Sequence, residues 1–203
     1  MTSEILTARG IGWHRGGLAA VAAAAAAGIA LHWVGSVDAI NQMLSDTVSS
    51  APGAALLGVA CAALMVAAGC LAVGARHAAW SRLVRGLLGL WSAGLAALAV
   101  FPTNLPGTAV TTGAVIHRYG AALAVAVPPV IGLLVARTRR LRTASLVTGG
   151  TAALYGVAHV PSMVTGTEIL PYAGLAERVV LGLVLLVVVM TTAALRDGSR
   201  TWT

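Results

Sequence analysis

The sequence predicts an all-α, polytopic membrane protein: one bundle of six transmembrane helices with both termini cytoplasmic. Three observations carry that prediction. The chain is 58% hydrophobic and only 9% charged over 203 residues, whereas a soluble domain carries about 25% charged residues. Its apolar residues fall in six runs, each near the roughly 20 residues that a helix needs to cross lipid. Its arginines gather in every second gap between those runs. Backbone groups in lipid must be paired within the segment, so the runs are helices. Barrel strands would alternate apolar and polar residues, and these runs do not.

The elements follow in order. Helix 1 is expected over about 16–34, and a polar loop with Asp38 and Asp46 follows it. Helix 2 is expected over about 52–75, with Pro52 in the first turn, where its missing N–H costs nothing. Arg76, Arg82 and Arg85 mark the next link. Helix 3 is expected over about 87–101 and stops at Pro102. Helix 4 is expected over about 109–136, with Pro128 and Pro129 placed to kink it. A link with four Arg leads to helix 5, expected over about 144–160 and ending before Pro161. Helix 6 is expected over about 171–195. Residues 1–203 read as a single domain without internal repeats.

The arginines set the orientation. There are thirteen Arg and no Lys, and eleven lie in the N-terminal segment, the second-to-third link, the fourth-to-fifth link and the tail. By the positive-inside rule that side is cytoplasmic. An even number of spans then puts both termini inside. Trp13 and Trp80 suit the inner interfacial belt and Trp33 the outer one. The net charge of +7 therefore reads as a topology signal, and no nucleic-acid partner is expected. Arg9 and Arg15 ahead of an apolar run could pass for a signal peptide, but Leu31, His32 and Trp33 make a poor cleavage site, so a retained first helix is expected. Cys61 and Cys70 lie nine residues apart in one run, on opposite helix faces at about 100° per residue. They read as small core residues. The expected location is a bacterial cytoplasmic membrane, and nothing in the sequence fixes an oligomeric state.

The other polar residues gather at the outer helix ends: His32, Asp38, Asp46, Asn104, His117, Arg118, His159, Glu168, Tyr172, Glu177 and Arg178. Helix rise gives their depth. His117 stands roughly 30 Å above Arg137, and Glu177 roughly 28 Å above Arg196. His159 stands about 25 Å above Arg142, and His32 about 25 Å above Arg15. Four ionisable side chains on four helices thus share one layer under the outer surface. Such residues are costly in lipid and usually pair or line a cavity. The expectation is a polar pocket opening outward. The alternative is an interfacial layer facing headgroups and water.

Two short signatures stand out: Phe101-Pro102-Thr103 followed by His117 and Arg118, and Gly174-Leu175-Ala176-Glu177-Arg178. With the six-helix plan they make the chain resemble the bacterial family catalogued as domain of unknown function 998, over most of its length. The resemblance implies a small polytopic membrane protein and no established activity. It also draws attention to His117 and Glu177.

Three chemistries compete for these residues. The outer histidines on helices 1, 4 and 5 would supply axial ligands to a b-type haem, but no second convincing His layer accompanies them. Zinc spacing such as H-E-x-x-H is missing. The reading adopted has no cofactor and no metal. Acid-initiated chemistry on an isoprenoid or lipid, of terpene-cyclase type, needs a buried acid, a proton partner and an aromatic-lined apolar cavity. Glu177 is the expected acid, with His117 and His159 as proton partners. Arg118 and Arg178 would hold an anionic group or tune Glu177. Tyr119, Tyr155, Tyr172, Phe101, Trp33, Asn104 and His32 would complete the substrate site, the aromatic faces stabilising passing cations. The competing reading is a non-catalytic accessory, transport or resistance protein in which Glu177 and an Arg lock the bundle.

Overall fold

The computed structural model describes residues 2–34, 38–77, 81–104, 108–165 and 170–200. Among these there is no strand. Six long helices follow one another: α1 (Thr2–Val34), α2 (Ala51–His77), α3 (Arg82–Val100), α4 (Thr112–Val135), α5 (Arg139–Thr165) and α6 (Ala173–Arg200). A 3₁₀ segment, Leu44–Ser49, lies in the polar stretch between α1 and α2. Glu168 and Trp80 lie outside the described residues.

Several boundaries differ from the sequence reading. α1 starts fourteen residues before Gly16, at Thr2. α3 and α5 begin within the Arg-rich links, because Arg is a good helix former and prolongs a helix into the interface. α4 begins at Thr112 because the Thr111 hydroxyl accepts from the Ala114 N–H at 3.2 Å and fixes the cap. α5 passes through Pro161 and ends at Thr165.

Among the described residues, five helices are long and apolar enough to cross a membrane: the Gly12–Val34 part of α1, Ala51–Arg76, Arg82–Val100, Thr112–Val135 and Ala173–Arg196. α5 has ample length at 27 residues, but Arg139, Arg140 and Arg142, with several Ser, Thr and Gly, dilute its apolar character. Val59, Val66 and Val73 stand exposed on one face of α2, and Leu175, Val179 and Leu186 stand exposed on α6. In water such stripes would be a liability; in lipid they are the outer surface.

Consecutive helices pack against each other around the bundle, and α1 meets α6 to close it. α6 also touches α2 and α4, so one of its faces lies against the inside of the bundle while Leu175, Val179 and Leu186 face outward. Val180, Val184, Val187 and Val188 give it an almost fully buried face. Close approach is set by small residues. A Cβ on Gly120 would stand 2.7 Å from the Gly94 carbonyl oxygen, so α3 and α4 cross backbone to backbone. Pro128 has no N–H to bond the Ala124 carbonyl four residues back. That carbonyl is taken instead by the Trp91 indole N–H at 3.1 Å, deep in the core.

Candidate functional site

A cavity of about 930 Å³ occupies the bundle, with walls from all six helices and the 3₁₀ segment. Its polar lining is concentrated at one end. His32, Asn104, His117, Arg118, Tyr155, His159, Glu177 and Arg178 all border it. The layer expected from helix rise therefore converges on one space. Trp33, Tyr119 and Tyr172 do not border it and are 79%, 71% and 61% exposed. Tyr172 stands in the turn before α6, and Trp33 and Tyr119 lie on exposed faces of α1 and α4. Phe101 contributes its backbone: the His117 Nδ1–H donates to the Phe101 carbonyl at 2.7 Å. That bond ties α4 to the end of α3, and the ring also bonds the backbone of Leu98. Asn104 braces its own loop, with its amide on Thr108 and Ala109 and its oxygen accepting from the Thr111 N–H.

The second signature has a mechanical explanation. Residues 40–44 lie across the first turns of α6, and almost every residue of Gly174–Arg178 serves that docking. A Cβ on Gly174 would stand 2.1 Å from the Gln42 carbonyl oxygen, so only glycine fits. The Leu175 N–H donates to the Ile40 carbonyl at 3.0 Å. Glu177 Oε2 accepts from the Leu44 N–H. Arg178 Nη1 donates to the carbonyls of Gln42 at 3.0 Å and Gly174 at 2.8 Å. Its Nε donates to His32 Nε2 at 2.8 Å. With Nε2 accepting, the His32 proton belongs on Nδ1, which meets the Gly28 and Ile29 carbonyls at 3.1 and 3.2 Å.

Arg118 contrasts with this. Among the described residues its guanidinium makes no hydrogen bond or ion pair, and it stands within electrostatic reach of both His117 and His159. His159 is buried and its ring lies 4.5 Å from that of Tyr155. The Tyr155 hydroxyl is buried with no hydrogen-bond partner among the described residues.

Sequence reasoning gave two contributors no role. Asp46 is buried; it accepts from the Met43 N–H at 2.9 Å and so caps the 3₁₀ segment. The signal was an acidic residue three places after Met43, a capping pattern written without Ser or Thr. Ser145 borders the far end of the cavity, and nothing in the sequence distinguished it. Outside the membrane-spanning segments, Asp38 is held below the usual carboxylate range by the Asn41 amide and the Ile40 N–H.

The fold and its lipid-facing surface define a multi-pass α-helical membrane protein with a polar-ended internal cavity. The chain matches the family described as protein of unknown function (DUF998) over residues 8–194, and it belongs to that family. No curated protein and no solved structure matches it.

Proposed function

We propose that the protein is a membrane-embedded enzyme acting on an isoprenoid or lipid held in this cavity. The observation that supports the reading is the meeting of Glu177, His117, His159 and Arg118 at the polar end of an otherwise apolar chamber. Glu177 keeps one oxygen on the Leu44 N–H and has the other for a substrate proton. His117 and His159 are the proton partners. Arg118 receives an anionic group. Arg178, engaged on all sides, positions Glu177 and the 40–44 segment instead of touching substrate. In this reading all six long helices span a bacterial cytoplasmic membrane, α5 included, with the Arg-rich ends and both termini inside.

Glu177→Gln tests the chemistry cleanly. The amide oxygen still accepts from the Leu44 N–H, so folded yield should stay near wild type while the transferable proton is lost. Lipid mass spectrometry of the purified protein should then show a specific isoprenoid or lipid accumulating in the variant. Only bulk membrane lipids in both samples would remove the enzyme reading.

A non-catalytic accessory protein is the second reading. The engagement of Gly174–Arg178 in docking residues 40–44 favours it, because that signature then needs no chemical purpose. Equal loss of folding and of function in Glu177→Gln would favour this reading.

A further inference from the structure

The cavity is not equally deep on all sides. Along α1 its lining runs from His32 to Ala24, and along α6 from Glu177 to Leu185, about 12 Å in each case. Along α4 it runs from His117 to Leu133, and along α5 from His159 to Ser145, about 24 and 21 Å. The deep part is therefore a channel along the α4–α5 seam. Its floor is closed: a Cβ on Gly132 would stand 2.3 Å from the Ser145 oxygen and 2.9 Å from Val187, so α4, α5 and α6 meet there without room. Its flank is not closed in the same way. Ala122, Ala126 and Val130 on α4, and Leu146, Gly150 and Ala153 on α5, border the cavity and are exposed. Both helices thus present exposed small or apolar residues along the seam instead of a closed wall.

We infer that the ligand is a single-chain, phosphate-headed amphiphile that enters from the lipid between α4 and α5. This rests on the reading that the cavity is the ligand site, and it adds the substrate's class and route. The head lies against Arg118, His117, His159 and the Tyr155 hydroxyl. Those groups outnumber the two oxygens of a carboxylate and suit the three acceptor oxygens of a phosphate. A guanidinium with no partner among the described residues is suited to bidentate phosphate contact. The tail lies in the seam. One leaflet of a hydrocarbon core about 30 Å thick accommodates tails of about 15 Å, and the seam is longer than that. It therefore has room for one extended chain, such as a geranylgeranyl tail, along its whole length.

The test is binding of geranylgeranyl monophosphate to the purified full-length protein in nanodiscs, followed by native mass spectrometry. Geranylgeraniol, dioleoyl phosphatidic acid and inorganic phosphate are the competitors. The prenyl phosphate should bind at least tenfold more tightly than each of them. Arg118→Gln should lose at least tenfold in affinity. Ala126→Trp and Ala153→Trp, each filling the seam from a different wall, should exclude the geranylgeranyl chain but still bind dimethylallyl monophosphate, which also shows that they are folded. Equal binding of the alcohol, or no effect of Arg118→Gln, would overturn the head assignment. Equal binding of phosphatidic acid, or unchanged binding in both Trp variants, would overturn the seam. Inorganic phosphate binding as tightly as the lipid would replace the amphiphile with a free anion. None of these binding readouts needs turnover, so failure of the enzyme reading and failure of this one give different results.

Discussion

Arg178 and Arg118 lie at the same end of the bundle, on the contacting helices α6 and α4, each beside an ionisable neighbour and each bordering the same cavity. Arg178 donates to His32, Gln42 and Gly174. Arg118 has no such partner among the described residues. The difference comes from what faces each side chain. α6 begins beneath the 40–44 segment, whose carbonyls need donors, whereas the Arg118 side of α4 faces open space. One cation therefore serves the fold, and the other is left for a ligand. Similar neighbours in sequence do not imply similar purposes.

The largest expected break in this comparison is Arg178→Met. Removing charge-assisted hydrogen bonds worth about 1.5–3 kcal/mol should lower resistance to unfolding in a detergent titration by about 2–3 kcal/mol. Arg118→Met should stay within about 0.5 kcal/mol of wild type. Equal losses would erase the distinction between the two residues.

Glycine substitutions on α6 sharpen it further. Gly174→Ala forces a Cβ onto the Gln42 carbonyl and should cost about 1–3 kcal/mol. Gly182→Ala, on the same helix with nothing within 4 Å of the new methyl, should be neutral or stabilising by up to about 1 kcal/mol. The same titration separates them. At the α3–α4 contact, Trp91→Phe leaves the Ala124 carbonyl beside Pro128 without its donor and should cost about 1–2 kcal/mol; a loss of tryptophan anchoring should also appear as faster hydrogen exchange in the middle of α4.

The smallest effect concerns the turn that leads into the 40–44 segment. Asp38 has a lowered value in the fold because Asn41 and Ile40 donate to its carboxylate. A group depressed in this way stabilises the turn above the ordinary aspartate value of about 4. That contribution fades as pH falls through the lower folded value. Asp38→Asn should abolish the acid-sensitive part of hydrogen exchange at Ile40 and Asn41 and leave the rest of the chain unchanged.

Much of this molecule could be read from the chain. Apolar runs located the long helices, and a rise of about 1.5 Å per residue placed His32, His117, His159 and Glu177 in one layer. The reading weakened where a partner distant in sequence decides the outcome. Trp33, Tyr119 and Tyr172 share the depth of the site but not its direction. Asp46 looked like a loop residue and is buried. Thr111 shifts the start of α4 through a cap that hydropathy does not register. Glu177 is expected to partner His117, His159 or an Arg, yet it accepts from the backbone of Leu44, 133 residues earlier.

The sequence by itself determined that this protein is helical, that most of its helices are apolar enough for lipid, and that His32, His117, His159 and Glu177 come at similar heights along their helices. Hydropathy, helix length and rise are additive along the chain, so they need no knowledge of neighbours. Only the tertiary structure decided that His117, Arg118, His159 and Glu177 border one cavity, that Arg178 is engaged while Arg118 is not, and that the cavity deepens along α4 and α5. Those outcomes depend on helix rotation and order. Both are set by close contacts such as Gly94 with Gly120, Gly132 with Ser145 and Gly174 with Gln42, where the fit of two distant surfaces is a property of neither segment alone.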